Sequence, residues 1–221
     1  MLEKIDLSKK NEYVSPKILE IVHKRKIKKL IHFTNIKNLE SILHMGICSR
    51  RYLWEYEIKF ESNDPYRKDK KRDCSSFSIE YPNSSYLNSL KKKNPEKIFC
   101  MIILDAERLL PNILDKYYVY CNAATTEASS FLDSEVLTRP KFFENMFYNS
   151  SISYLPGDVQ AEILIKGIVP TEYIQEIHFS DSRDFDAFKA MCEDIALVDK
   201  YKMVISDFYF KDRDQIFWEQ R

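Results

Sequence analysis

The scarcity of glycine restricts the fold of this chain more than any other feature of the sequence. Three glycines occur among the 221 residues: Gly46, Gly157 and Gly167. The loops G-x-G-x-x-G and G-x-x-x-x-G-K-[ST], which hold phosphates in Rossmann and P-loop folds, need closely spaced glycines. Neither motif can be written with these three. The usual glycine cradles are therefore excluded, and side chains must hold the phosphates of any nucleotide that binds.

Composition is typical of a soluble globular protein, because 44% of the residues are hydrophobic and 31% are charged. No apolar run approaches the ~18 residues that a membrane-spanning helix needs. The first residues, MLEKIDLSKKNEYV, lack the apolar core of a secretory signal. The five cysteines are scattered and form no C-x-x-C pair, which indicates reduced thiols and no structural zinc site. We expect a cytoplasmic protein without a membrane segment or a bound metal.

Patterns along the chain predict an irregular α+β domain that covers residues 1–221. Strands and helices alternate without the glycine turns of a doubly wound sheet, and no linker or repeat divides the chain. Residues 48–73 read as a long loop with at most one short helix. The predicted helices cover 15–27, 35–46, 84–93, 124–132, 139–149 and 183–198. The predicted strands cover 30–34, 75–81, 97–105, 117–121, 162–169, 173–179 and 201–210.

Charge is divided unevenly along the chain, although the total is zero. Residues 1–100 contain 22 Lys and Arg against 13 Asp and Glu, whereas residues 101–221 contain 12 against 21. The positive charge is concentrated in four bursts, at 23–29, 49–51, 66–73 and 91–93. Each burst by itself is most simply a solvated surface, but four in one half favour a face that binds a polyanion. Five aromatic residues between two of the bursts are suited to stacking on bases, or to packing in a core: Tyr52, Trp54, Tyr56, Phe60 and Tyr66.

Two polar positions on predicted strands require an explanation. Glu162 begins the apolar run EILIKGIV, where a carboxylate needs either a partner or a chemical role. His32 and Thr34 alternate along one strand, so that their side chains point to the same face. Taken alone, Glu162 could be an exposed or ion-paired strand end, and His32 a hydrogen-bonded histidine in a half-buried strand.

Four blocks of sequence resemble the DarT family, which comprises toxins that ADP-ribosylate DNA bases using NAD+. The first is a strand with His32 and Thr34 that runs into NLESILHMGI, with Asn38 at the start of the helix. The second is SFSIEYPN (76–83), the third is CNAATT (121–126), and the fourth is QAEILIKGIVP (160–170), which contains Glu162. The blocks follow the order of the family from about residue 30 to residue 180.

The resemblance implies an ADP-ribosyltransferase-like fold, in which helices flank a central, split sheet of mixed or antiparallel strands. It also implies NAD+ as co-substrate, contacted by His32, Thr34 and Asn38, and Glu162 as the catalytic carboxylate. Transfer from NAD+ passes through an oxocarbenium-like transition state, which a carboxylate near the sugar stabilises. The resemblance further implies an arginine between the first helix and the next strand, which binds the NAD+ phosphates or organises the acceptor base for catalysis. The spacing from His32 favours Arg72 for this catalytic and cofactor-binding role, with Arg50 and Arg51 as alternatives. Ser78 and Asn83 are expected to border the pocket.

The expected acceptor is a base of single-stranded DNA, with guanine favoured over thymine because of the SIEYPN block. The resemblance also implies a macrodomain antitoxin that removes the modification, and we expect a monomeric toxin. Two alternatives stay open: a transferase that modifies RNA or protein, and a nucleic-acid-binding module without catalysis. The transferase hypothesis requires that His32 and Glu162 line one cleft, and it fails if they lie on opposite sides of the molecule.

Overall fold

The computed structural model describes residues 15–62, 71–113, 115–123 and 138–218. A seven-stranded sheet runs through this part of the chain in the order β5-β6-β3-β1-β4-β8-β9, and a two-stranded sheet pairs β2 with β7. Neighbouring strands are antiparallel except β8 and β9, which are parallel. The strands are β1 (Lys29–Asn35), β2 (Ile47–Cys48), β3 (Cys74–Ile79), β4 (Phe99–Asp105), β5 (Lys116–Val119), β6 (Glu162–Lys166), β7 (Ile168–Val169), β8 (Ile174–Phe179) and β9 (Lys202–Ile205).

Helices cover both faces of the large sheet, because its interior strand β4 is apolar on both sides. Along β4, Cys100, Ile102 and Leu104 belong to one core cluster, whereas Phe99, Met101 and Ile103 belong to a second. Helices α1, α2 and α5 to α8 contribute to the first cluster, and helices α4 and α9 to the second. The helices are α1 (Pro16–Arg25), α2 (Leu39–Met45), α3 (Arg50–Glu55), α4 (Ser84–Lys93), α5 (Ala106–Asn112), α6 (Pro140–Asn145), α7 (Ser182–Met191), α8 (Ala196–Lys200) and α9 (Arg213–Phe217).

The large sheet is split between β1 and β3. Strand β1 pairs with β4 along its whole length, from Lys29 to Asn35. Its pairing with β3 covers two positions, Leu30 with Ile79 and Ile31 with Ser78. Beyond Ile31 the two strands part, and the rest of β3 pairs with β6 instead. A cleft therefore opens beside the second half of β1, and the expected α+β fold with a split, mostly antiparallel sheet is confirmed.

Gly46 joins the helix after β1 to the small sheet. It follows α2 at φ +90°, and an added Cβ would lie 2.3 Å from the carbonyl oxygen of Val169 on β7. Only glycine combines this backbone angle with so close an approach. The predicted end of the helix at Gly46 is confirmed.

Two predicted elements at the C-terminal end are wrong in extent, each because of a contact with a distant residue. The predicted helix 183–198 is interrupted between α7 and α8, where the Glu40 carboxylate accepts hydrogen bonds from the backbone N–H groups of Glu193 and Asp194, at 2.9 and 2.7 Å. The predicted strand 201–210 ends at Ile205. The chain then forms the 3-10 helix Phe208–Phe210, whose first carbonyl accepts from the Tyr81 hydroxyl at 2.7 Å.

The predicted strand 162–169 is divided at Gly167 (φ +80°), because β6 belongs to the large sheet and β7 pairs with β2 in the small one. Most other predicted elements agree with the structure to within a few residues. The segment 48–73 contains α3, and Ser49 caps it by accepting from the backbone of Tyr52. Pro16 begins α1, but the Ser15 side chain makes no capping bond. The predicted helix 124–132 lies outside the described residues, as do residues 63–70. In the described part of the chain, no helix is both long and apolar enough to cross a membrane.

Candidate active site

A cavity of about 880 Å³ lies where β1 and β3 part. This volume is in the range of small-molecule and cofactor sites. Its walls come from β1, β3, α3, α4 and the start of β6, so residues far apart in sequence meet there. Of the residues predicted from sequence, seven line it: His32, Thr34, Asn38, Arg50, Ser78, Asn83 and Glu162. His32 and Glu162 therefore share one cleft, as the transferase hypothesis requires.

Glu162 is the first residue of β6 and is half-buried in the cavity wall. Its backbone pairs with Val119 on β5, and its Oε1 accepts a hydrogen bond from the N–H of Ala123 at 3.3 Å. The neighbouring Asn122 donates to Oε1 of Gln160 at 2.7 Å. The described part of CNAATT is thus bonded directly to QAE, and together they orient the carboxylate.

His32 spans the opening between β1 and β3. Its Nδ1 lies 2.9 Å from the carbonyl oxygen of Ser76 on β3, and its ring lies 5.4 Å from the ring of Phe77. A carbonyl accepts only, so Nδ1 carries the proton in this bond, and in the neutral ring Nε2 is an acceptor. The imidazole therefore has a fixed tautomer and a fixed orientation beside the cavity.

A short segment, residues 59–62, closes one side of the cavity, and we call it the strap. The Asn38 carboxamide holds the strap by bonding both backbone groups of Glu61, accepting from its N–H at 2.7 Å and donating to its carbonyl at 2.9 Å. The same amide donates to the Thr34 hydroxyl at 2.9 Å. In the structure the Asn38 carboxamide organises the cavity wall, and its expected contact with a nucleotide stays a prediction.

Two cations complete the attachment of the strap. Arg50 donates to the Ser62 hydroxyl at 2.7 Å, and Lys97 lies 3.3 Å from the Glu61 carboxylate. The anchors come from three separate places: the 3-10 turn Ile36–Asn38 after β1, helix α3 and the turn before β4. Local sequence patterns do not identify Lys97 or the strap, because Lys97 and Glu61 are 36 residues apart in the sequence.

The three candidate arginines occupy different positions. Arg50 lines the cavity, whereas Arg51 and Arg72 are exposed and lie outside its lining. Arg51 is paired with Glu55 on its own helix, with 2.7 Å between Nε and the carboxylate. Arg72 lies with its guanidinium carbon 5.2 Å from the centre of the Trp54 ring. Of the three candidate arginines, Arg50 is therefore the one whose side chain borders the cavity.

Ser78 and Asn83 border the cavity but also form a local turn. The Asn83 N–H donates to the Ser78 hydroxyl at 3.2 Å, and the Asn83 side chain caps α4 by accepting from the N–H of Tyr86 at 3.0 Å. These bonds set the angle at which α4 leaves the sheet. Tyr86 and Lys93 on that helix also line the cavity.

Two of the buried cysteines, Cys48 and Cys100, are poorly suited to nucleophilic chemistry. Cys48 lines the cavity, but burial raises the pKa of its thiol to about 11, and burial raises that of Cys100 to about 12. Both thiols are protonated at neutral pH and are weak nucleophiles. Among these residues no group of three His, Cys, Asp or Glu side chains is placed to hold a metal ion.

Three of the four positive bursts can be assigned to one of two locations, the cavity wall or contacts within the protein. Those at 49–51 and 91–93 contribute Arg50 and Lys93 to the cavity wall. The burst at 23–29 instead makes contacts within the protein: Arg25 lies 4.4 Å over the Phe147 ring, and Lys28 pairs with Glu107. The basic half of the chain is thus partly structural and partly directed at the cavity.

Known proteins resemble the chain in sequence pattern and in fold. The family model described as "ssDNA thymidine ADP-ribosyltransferase, DarT" matches residues 31–210. No curated protein matches the chain significantly. The solved structure of Thermosipho africanus DarTG in complex with ADP-ribose is 19% identical with a TM-score of 0.58, covering 83% of this chain and 51% of that one. This chain therefore spans about half the length of the Thermosipho protein.

This chain also matches two structures of DarT from Thermus sp. 2.9, and each match covers nearly the whole length of the Thermus protein. The complex with NAD+ is 14% identical with a TM-score of 0.54, covering 84% of this chain and 98% of that one. The complex with ADP-ribosylated ssDNA is 13% identical with a TM-score of 0.55, covering 84% and 97%. At these identities the likeness establishes the fold, whereas the family model covers far more than half of the sequence. The resemblance found in the sequence is confirmed, and this chain belongs to the DarT family.

Proposed function

We propose that this protein is a toxin that transfers ADP-ribose from NAD+ to a base of single-stranded DNA and releases nicotinamide. The observation that supports this most directly is the meeting of His32 and Glu162 in one cavity of about 880 Å³, in a chain that belongs to the DarT family. The related Thermus DarT has been solved with NAD+ and with ADP-ribosylated ssDNA. We further propose that residues 1–221 act as one cytoplasmic, monomeric domain.

In this proposal Glu162 acts on both partners of the reaction. Breaking the bond between the ribose and nicotinamide develops positive charge on the sugar, which a carboxylate stabilises directly and through the 2-hydroxyl. The same group takes the proton that the acceptor nitrogen loses as it attacks. The hydrogen bond from the Ala123 N–H fixes one carboxylate oxygen before substrate arrives. Such preorganisation reduces the reorganisation that the reaction itself requires.

The remaining cavity residues bind and position NAD+. His32 presents an acceptor nitrogen to a ribose hydroxyl, because its other nitrogen is committed to Ser76. Asn38 acts by holding the Thr34 hydroxyl and the strap in place. Arg50 offers the planar fork that suits phosphate, in a chain without a glycine cradle. Arg72 lies outside the cavity lining, and in this proposal it binds a phosphate or positions the acceptor base from there.

The acceptor base and the partner are finer points of the same proposal. We favour guanine because SIEYPN resembles the guanine-modifying branch, and Ser78 and Asn83 from this block border the cavity. The family model is named for thymidine, so thymine is the competing acceptor. An unpaired base is required because its edge must be free to attack. A macrodomain antitoxin that removes the modification completes the proposed system.

Mass spectrometry of treated oligonucleotides tests the function. Single strands of DNA containing one guanine or one thymine, the matching RNA and a test protein are incubated with the enzyme and NAD+. We expect the mass of one ADP-ribosyl group on DNA with guanine, no such product with Glu162→Gln, and an unchanged product with the exposed control Glu172→Gln. Product on RNA or protein alone would refute the DNA assignment. Product on thymine alone would refute the guanine preference.

A further inference from the structure

We propose that Trp54, together with Arg50 and Arg72, forms a platform on which single-stranded DNA stacks beside the cavity. The inference rests on the proposed function, because it assigns a binding surface to that substrate. Trp54 lies on α3, and 49% of its surface is exposed. The guanidinium carbons of Arg50 and Arg72 lie 6.0 and 5.2 Å from the centre of its ring.

The charge of this surface suits a polyanion. Arg51 on the same helix is neutralised by Glu55, at 2.7 Å. Within the described ranges, by contrast, no carboxylate lies within salt-bridge distance of Arg72. An exposed indole with two guanidinium groups within about 6 Å of its ring offers stacking to a base and pairing to a phosphate at the same time. A single strand supplies both partners, whereas the bases of a duplex present no free faces.

The position of the platform connects it to the reaction. Arg50 belongs to both places, because it lines the cavity and lies over the Trp54 ring. Phe60 of the strap also lines the cavity, with its ring centre 6.5 Å from that of Trp54. A strand held on the platform therefore places a neighbouring nucleotide at the cavity, where its base meets the bound co-substrate. The platform contributes to the affinity for single-stranded DNA, and the residues of the cavity select the base.

Intrinsic fluorescence provides a direct test, since the chain has two tryptophans. In Trp218→Phe the signal comes from Trp54, and in Trp54→Phe it comes from Trp218, which is 72% exposed and lies outside the cavity lining. Both variants are titrated with a mixed-sequence single strand of about ten nucleotides, without NAD+. We expect quenching in Trp218→Phe and none in Trp54→Phe. Quenching confined to Trp54→Phe, or quenching by RNA but not by DNA, would overturn the proposal.

Binding affinity gives a second measurement. Fluorescence anisotropy of the labelled strand should show that Trp54→Ala weakens binding about fivefold or more, whereas Trp218→Ala leaves it unchanged. Arg72→Gln should lower the salt dependence of log K by about 0.7, the contribution of one phosphate contact on a single strand. Equal affinities for the two alanine variants would overturn the platform. Quenching of Trp54 without any ADP-ribosyl product would refute the proposed reaction and leave the platform standing.

Discussion

His32 and His178 lie on strands of the same sheet but have opposite surroundings. His32 on β1 is half-buried in the cavity wall, where its ring is oriented by a backbone carbonyl. His178 on β8 is 7% exposed, lies 2.8 Å from the Glu176 carboxylate and packs against the Tyr209 ring at 5.1 Å. Glu176 also pairs with Lys202, and Tyr209 accepts from Lys29 at 3.0 Å.

The difference separates two uses of polar residues on a strand. Around His178 the side chains of Glu176, Lys202, Lys29 and Tyr209 form bonds within the network, and the buried Nδ1 of His178 is the atom left without a hydrogen-bond partner among the described residues. Their contribution is to the stability of the fold. Around His32 and Glu162 they surround open volume, and their hydrogen bonds orient side chains toward it. Substitutions at the cavity should therefore reduce activity at constant stability, and substitutions around His178 should do the reverse.

Glu162→Gln should have the largest effect on activity. The amide keeps the size of the side chain and an acceptor for the Ala123 N–H, but loses the charge that we propose stabilises the sugar cation. We expect at least about a hundredfold lower rate of transfer to DNA, with an unchanged melting temperature. Single-turnover rates and thermal melting measure the two quantities. A large loss of melting temperature would show that Glu162 is structural.

His178→Ala should have the largest effect on stability. The change removes a buried ring and leaves Glu176 without one of its partners. We expect the free energy of unfolding to fall by about 2–3 kcal/mol. Urea denaturation measures this loss, and Glu172→Gln on the surface serves as a neutral reference. An unchanged unfolding free energy would show that the packing around His178 contributes nothing.

The pH dependence of stability should come from the same histidine. Burial lowers the pKa of His178 below its ordinary 6.5, although the Glu176 carboxylate opposes the shift, and Lys29 and Lys202 add to it. The unfolded chain then binds the proton more readily than the folded one. The free energy of unfolding should therefore decrease as the pH falls through 6.5. His178→Phe should lack this decrease, and the same decrease in that variant would assign it to another group.

Asn38→Ala should have an intermediate effect at the cavity. It removes the two bonds to Glu61 and the bond to Thr34, so the strap loses its main anchor. At about 1 kcal/mol for each net hydrogen bond, the two bonds that hold the strap contribute about 2 kcal/mol, so we expect affinity for NAD+ to fall about thirtyfold. Asn112→Ala, which removes a bond to the Arg108 carbonyl on α5, is the matched control. Equal NAD+ affinities in the two variants would contradict the role of the strap.

Lys97→Met should have the smallest effect. The Lys97–Glu61 pair is partly exposed, with 25% and 40% of the two side chains accessible, so its contribution is below about 1 kcal/mol. We expect the KM for NAD+ to rise less than about fivefold, and the rise to vanish at high salt. Lys202→Met, which removes the pair with Glu176, should leave this KM unchanged. An equal rise in both variants would remove the distinction between the two regions.

Much of the fold was predictable, because local patterns specify it. The apolar run of β4, Gly46 after α2 and the polar helix α4 all lie where the sequence indicates them. The break between α7 and α8 was not predictable, because Glu40 causes it from a distant helix. The same limit applies to the site: residue types identified His32 and Glu162 as candidates, whereas the anchoring of the strap depends on long-range contacts.

The class of the protein can be read from its residues alone. The three glycines exclude the common phosphate cradles, and the ordered blocks place the chain in the DarT family. Which of the candidate residues meet can be read only from the folded molecule. Folding puts Arg50 in the cavity wall and Arg72 outside it, and it brings Asn38 into contact with the strap. The cavity forms where β1 and β3 stop pairing, and such a gap depends on contacts among all the strands, so no local pattern reveals it.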